Sequence, residues 1–269
     1  MKIRFIWMYF FLFPALLVVE SCGTVPVTGR SQLNLLPESS MVDMSLTSYD
    51  EFLKENKLSD NEAQKATINQ VGQRVAAAVE TYLRNNGYES YIENFKWEFH
   101  LVEDDVPNAW CMPGGKVVFY TGIMPLTQSD AGVAVVMGHE IAHAVARHGN
   151  ERMSHSMLVQ MGGIALSEAI KEKPEETQAL FSSAYGVGTQ VGVTLPFSRK
   201  QEYEADEMGL IFMAMAGYDP RTAISFWKRM SEQGGSSSTP EFLSTHPVDS
   251  HRIAQLEKLM PEALKYYQP

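Results

Sequence analysis

The spacing of apolar residues divides the chain into a helical front, a strand-like middle and a long helical remainder. Residues 38–58 and 61–86 read as helices. In the second, Ile68, Val71, Val75, Ala78, Val79 and Leu83 recur close to the helical period, and Asn86-Gly87 ends the run. The period then changes. Phe95, Trp97, Phe99 and Leu101 alternate with Lys96, Glu98 and His100, the pattern of a half-buried strand. Two short apolar runs, Ala109 to Met112 and Lys116 to Tyr120, flank Pro113-Gly114-Gly115 and predict a β-hairpin. From residue 129 the chain reads as helical almost to its end. Breaks are expected at Gly149-Asn150, Lys173-Pro174, Gly186 to Pro196, Gly217 to Pro220 and Gly234 to Pro240. Residues 153–197, rich in Met, Gly, Ala and Ser, read either as a mobile cover or as a pair of small-residue helices. No repeat of roughly 20–50 residues is visible. The expected fold is one α+β domain over residues 38–269, mostly helical, with a small sheet and hairpin before the first long apolar helix.

The start of the chain has a different pattern. Lys2 and Arg4 precede an almost wholly apolar run from Phe5 to Val19, followed by Glu20, Ser21, Cys22 and Gly23. This is the layout of a secretory signal over residues 1–21. A run of about 15 residues is short for a membrane-spanning helix, which needs about 20. The position of Cys22 resembles a bacterial lipoprotein processing site, with Glu20 departing from that pattern. The resemblance implies cleavage before Cys22 and its acylation, and several acyl chains would anchor the protein stably. Residues 22–37, with Pro26, Gly29 and Pro37, then read as an extended, lipid-anchored tether, and the expected location is a bacterial cell envelope, facing the periplasm.

Composition narrows the function classes. With 45% hydrophobic and 20% charged residues in 269, the chain is of ordinary globular make-up. Its formal charge of −10 and lack of a basic run argue against nucleic acid as a partner. Only two cysteines are present. If Cys22 carries lipid, Cys111 has no partner for a disulfide, and it reads as a small apolar filler rather than a nucleophile.

The strongest chemical signal is His139-Glu140-Ile141-Ala142-His143, inside an apolar stretch that reads as a buried helix. Positions i and i+4 share a helix face, so both imidazoles can address one ion. Zinc suits imidazole nitrogen, and catalytic sites keep three protein ligands and one open place. Glu140 is placed to act as general base. This motif arises by chance in roughly 1% of chains of such composition, and an apolar helix would not bury a carboxylate without a partner. A third ligand must come from elsewhere. Glu202 and Asp206 share a face of a later helix, whereas Glu204 points away from it. Glu202 could ligate, and Asp206 could accept the free ring N–H of a ligand histidine. By spacing alone, a solvated acidic face at a helix start is the better explanation of them.

These residues together resemble a known family. The motif is followed about 60 residues later by Ser198-Arg199 and by Glu202 with Ala205-Asp206. With Asn108-Ala109-Trp110, Pro113-Gly114-Gly115, Tyr120-Thr121-Gly122, Ser244-Thr245-His246-Pro247, Arg252-Ile253 and the start Val25 to Leu33, this resembles the membrane-associated zinc metallopeptidases of the CAAX prenyl endopeptidase and HtpX type, peptidase family M48, in their periplasmic lipoprotein branch. The resemblance implies a gluzincin-like domain with one Zn2+, held by His139, His143 and Glu202, with Asp206 behind a ligand. It implies that His246 can approach the zinc and hold the enzyme latent. A role for His246 at the oxyanion, or as a plain loop histidine, stays open. Arg252 pairs with Asp206 or with another carboxylate near the site, where a regulatory or oxyanion role is open to it, or lies on a helix surface. His100, His148, His155 and His251 read as structural or exposed.

The expected activity is zinc-dependent endopeptidase hydrolysis of membrane-proximal or misfolded polypeptides, a role in envelope protein quality control. The rival is a membrane-tethered chaperone or assembly factor with a latent zinc site.

Overall fold

The computed structural model describes residues 22–190, 194–233, 241–248 and 250–268. The leader expected over residues 1–21 and the break expected at Gly234 to Pro240 lie outside these residues. The chain opens with a small antiparallel pair, β1 (Cys22–Thr24) and β2 (Ser31–Leu33), followed by α1 (Glu38–Glu55) and α2 (Glu62–Asn85). Three strands follow, β3 (Glu98–Val102), β4 (Ala109–Met112) and β5 (Lys116–Tyr120). The remainder is helical: α3 (Met124–Thr127), α4 (Asp130–Val145), α5 (His148–Ile170), α6 (Glu175–Thr189), α7 (Leu195–Met215), α8 (Thr222–Gln233), α9 (Glu241–Thr245) and α10 (Ser250–Ala263).

The hairpin forms as its turn residues require. Gly114 and Gly115 both take positive φ, at 89° and 81°, and β4 pairs antiparallel with β5 from Ala109 opposite Phe119 to Met112 opposite Lys116. β3 joins the other side of β5 in parallel, so the order is β3-β5-β4 and β4 is an edge. The register sets Lys116 opposite Glu98. Lys116 is buried, and its ammonium donates to Glu98 and to the Lys96 carbonyl at 2.8 Å, so its charge is matched rather than stranded.

Helix α4 is the centre of the domain. Ser129 caps its start by accepting from the Gly132 amide at 3.2 Å, and every residue from Gly132 to Val145 is buried. α7 crosses it at a glycine pair. A Cβ on Gly138 would stand 2.8 Å from the Gly209 carbonyl oxygen, and one on Gly209 would stand 2.9 Å from the His139 nitrogen. Only two glycines permit backbones to approach this closely. The contact sets the motif on α4 beside the first turns of α7.

Two expectations are revised, and one choice between two readings is decided. Residues 22–37 are not a free tether: β1 and β2 pair, Val25 is fully buried, and Arg30 reaches Glu151 on α5 and Glu204 on α7. Burial of a valine and pairing of a cation outweigh the extended tendency of a Pro- and Gly-containing segment. The helix break falls at Arg147, with φ +56°, and Gly149-Asn150 lies inside α5. Arg147 is held there by Glu38 at 3.2 Å and by the Tyr91 ring, 4.1 Å from its guanidinium carbon. Within residues 153–197, α5 and α6 form a helix pair, tied where Tyr185 donates to the Val159 carbonyl at 2.8 Å. Among the described residues no helix is long and apolar enough to cross a membrane.

Candidate metal centre

Four side chains from three parts of the fold converge beside the glycine crossing. α4 supplies His139 and His143, α7 supplies Glu202, and the residue after α9 supplies His246. His139 Nε2 lies 3.1 Å from His143 Nε2, 3.3 Å from Glu202 Oε2 and 3.2 Å from His246 Nδ1. His246 Nδ1 lies 3.0 Å from Glu202 Oε2, and His143 Nε2 lies 3.3 Å from Glu202 Oε1. A tetrahedral ion bonded at about 2.0 Å places neighbouring donors about 3.3 Å apart. These contacts match neighbouring donors around such an ion, and one donor atom from each of the four side chains lies within 4.8 Å of the others.

The electrostatics point the same way. Burial drives the His143 pKa well down, so its ring is neutral, the form that ligates. Burial opposes a charge on His139 too, but hydrogen bonding to Asp206 and Glu202 outweighs it and raises that pKa to about 9. Burial likewise opposes ionisation of Glu202, yet the surrounding histidines hold its carboxyl well below the usual range. The cluster therefore calls for positive charge at its centre, which a divalent cation supplies. Glu140 is buried beside it. Burial pushes its pKa up, its Oε1 stands 3.5 Å from His246 Nε2, and that oxygen has no hydrogen-bond donor among the described residues. Beside the four donors, such an acceptor can take a proton from a molecule bound in the site.

Each of the two α4 histidines has a partner behind it. His139 Nδ1 meets Asp206 Oδ1 at 3.0 Å. Arg252 grips that carboxylate with two bonds, Nε to Oδ2 at 2.7 Å and Nη2 to Oδ1 at 2.8 Å. Arg252 is itself buried, stacked 3.8 Å over the Trp227 ring and 3.2 Å from Glu202 Oε2. The structure thus places Arg252 on Asp206 rather than on a helix surface. His143 Nδ1 meets His148 Nδ1 at 2.8 Å, and His148 Nε2 meets Glu204 Oε2 at 3.0 Å. The sequence pattern reads His148 as structural or exposed and Glu204 as facing away from the ligand face. Glu204 does turn away from the four donors, but into a buried network. Burial raises its pKa, but hydrogen bonds from His148, Arg30 and Thr28 outweigh this and bring it to about 2. No local signal marks this pair, because only the turn at Arg147 folds His148 back onto His143.

The remaining candidates sort cleanly. Cys111 sits on β4, and burial, with the charge of Glu140, drives its thiol well above the usual pKa, the state of a packing residue. His100 stacks on Tyr49 with ring centroids 6.0 Å apart, and His251 pairs with the Tyr203 hydroxyl at 2.8 Å. Cys22 opens β1.

Residues 62–260 match Peptidase family M48. The chain belongs to this family. Its M48 region contains all four converging donors, Glu140 and both layers behind the α4 histidines, whereas Arg30 and Thr28 lie before it. The chain is 31% identical over 243 residues to the mitochondrial metalloendopeptidase OMA1 of Schizosaccharomyces pombe, covering 89% of this chain and 66% of that protein. It is 38% identical over 181 residues to the Arabidopsis thaliana protein of the same name, covering 66% and 35%. It is 29% identical over 172 residues to the beta-barrel assembly-enhancing protease of Escherichia coli strain K12, covering 61% and 35%. The chain thus spans from about a third to about two thirds of these relatives' length. They support the M48 family without supporting its CAAX prenyl endopeptidase, HtpX or lipoprotein branches in particular. They also overturn the expected bacterial, periplasm-facing location, because the metalloendopeptidases at 31–38% identity are mitochondrial.

Proposed function

We propose that the protein is a zinc-dependent metalloendopeptidase acting on membrane-proximal or misfolded polypeptides in protein quality control. His139, His143 and Glu202 are the zinc ligands and Glu140 is the general base. The observation that carries this reading is the convergence of four donor side chains, with contacts of 3.0–3.3 Å, beside a buried Glu140 oxygen that has no hydrogen-bond donor among the described residues. The M48 membership and the metalloendopeptidase names of its relatives support it.

Zinc, when bound, supplies Lewis-acid polarisation of the scissile carbonyl and acidifies a water. Glu140 takes the proton of the attacking water and delivers it to the leaving amine, a task suited to a carboxylate whose pKa burial has raised. Asp206, backed by Arg252, holds His139 in the tautomer whose Nε2 faces the cluster. β4 is an edge strand packed near α4, and an extended peptide adding to it would receive main-chain hydrogen bonds with little demand on side chains. The leader and Cys22 remain part of this reading as a membrane attachment, supported by the apolar run from Phe5 to Val19. Mass spectrometry of the first residue in a membrane fraction tests that attachment.

The deciding experiment is Glu140→Gln. The variant should keep its zinc and lose casein cleavage, whereas retained cleavage would end the mechanism. A second reading is favoured by one observation: His246 Nδ1 occupies the fourth donor position that a catalytic site keeps open. The protein would then be latent at rest, or act chiefly as a membrane-tethered chaperone. In the chaperone case Glu140→Gln would still suppress aggregation of an unfolded client.

A further inference from the structure

We infer that Arg30, in the N-terminal hairpin outside the M48 region, is a positioning residue for the metal site, acting through Glu204 and His148 on His143. The inference rests on the zinc reading above.

The geometry fixes the order of protons. Glu204 as a carboxylate only accepts, so the 3.0 Å contact to His148 Nε2 requires the proton on that nitrogen. A neutral His148 then offers Nδ1 as a lone pair. The 2.8 Å contact from His148 Nδ1 to His143 Nδ1 therefore requires His143 to donate from Nδ1. That leaves the lone pair of His143 Nε2 facing His139 Nε2 and Glu202. The other α4 histidine reaches the same tautomer directly through Asp206. His143 reaches it through an intervening imidazole.

The far end of this path is tied to the hairpin between β1 and β2. Arg30 donates from Nε to Glu204 Oε2 at 2.8 Å, and from Nη1 and Nη2 to Glu151 at 2.6 and 2.7 Å. Thr28 donates to the other oxygen of Glu204. Glu151 is also held by Gln201 at 2.9 Å. One guanidinium thus joins α5 to α7 across the back of His148, and Arg30 keeps only 12% of its side-chain surface exposed. With Arg30 absent, only Thr28 of the hairpin still holds the Glu204 carboxylate, and the orientation of His148 is less firmly set. The tautomer and orientation of His143 are then less firmly specified.

The test measures zinc affinity of the full chain by competition with a chromophoric chelator. It uses wild type, His139→Ala, His148→Leu, His148→Gln, Arg30→Met and the double variant Arg30→Met/His148→Leu. Melting of each zinc-free protein is recorded in parallel. His148→Leu should weaken zinc binding by about tenfold or more, the usual effect of losing a partner behind a ligand. His148→Gln, whose carbonyl can accept from His143 Nδ1, should recover part of the loss. Arg30→Met should weaken binding by a smaller factor, and the double variant should bind no more weakly than His148→Leu alone, because both act along one path. In the zinc-loaded protein, ring-nitrogen NMR should show His148 protonated at Nε2. Unchanged affinity in His148→Leu, additive losses in the double variant, or His148 protonated at Nδ1 would overturn the inference while leaving the zinc reading intact. If His148→Leu does not fold, the Gln and Arg30 variants and the NMR assignment decide. No zinc in wild type would sink the zinc reading itself and this inference with it.

Discussion

The Gly138–Gly209 crossing makes a sharp prediction, because the same one-carbon substitution should have opposite effects at two helical glycines. A Cβ added at Gly209 would lie 2.9 Å from the His139 nitrogen and 3.0 Å from the Gly138 carbonyl carbon. Both are backbone atoms in the middle of α4, so no rotamer change relieves the clash. Overpacking of this kind costs about 1–3 kcal/mol, and a backbone obstacle puts it in the upper half. Alanine recovers about 1 kcal/mol of helix propensity. The net loss for Gly209→Ala is therefore about 1–2 kcal/mol, or about 2–8 °C in Tm for a domain of this size. The displacement should also register in metal binding, because α4 carries His139 and His143 while α7 carries Glu202. At Gly188 on α6 no atom of the described residues lies within 4 Å of the added carbon, so Gly188→Ala should gain up to about 1 kcal/mol. Thermal melting with and without zinc, with zinc affinity read in parallel, checks both. A Gly209→Ala protein that melts with wild type and binds zinc equally well would refute the claim that this contact sets the two helices.

His246→Ala should retain zinc and raise casein cleavage above wild type if His246 holds the site latent; unchanged or lower cleavage would count against latency. Asp206→Ala removes the two-bond carboxylate partner of the buried Arg252 guanidinium, leaving it Glu202 at 3.2 Å, and should cost about 3 kcal/mol in urea unfolding, with weaker zinc binding. The Lys116 ammonium holds the Glu98 carboxyl below its ordinary pKa. A depressed carboxyl stabilises above its unfolded pKa and loses that contribution as pH falls through the folded value. Lys116→Met should therefore flatten the acid limb of a Tm-versus-pH curve below about pH 4.5, the region where Glu98 would otherwise titrate differently in the two states; an unchanged limb would show that the pair is not linked to folding.

What the sequence determined is what depends on a few neighbouring residues. Spacing of i and i+4 puts His139 and His143 on one helix face, and likewise Glu202 and Asp206, whatever surrounds them. Pro113-Gly114-Gly115 dictates a reversal, and alternation dictates a strand at Phe99 and Leu101. The M48 resemblance rested on such local signals in order along the chain. Tertiary structure decided which of two acidic readings applied to α7, because a solvated face and a face buried against α4 share one sequence; the Gly138–Gly209 approach makes it the second. It also decided the partner of His143. On an unbroken helix His148 would point about 140° away from His143. The left-handed Arg147 turns it back, and that conformation is held by Glu38 and Tyr91, which are distant in sequence. The hairpin at residues 22–33 was equally beyond reach. An arginine among glycine, proline and threonine reads as flexible chain until the fold brings Glu151 and Glu204 to the same place, where two buried carboxylates require a cation between them.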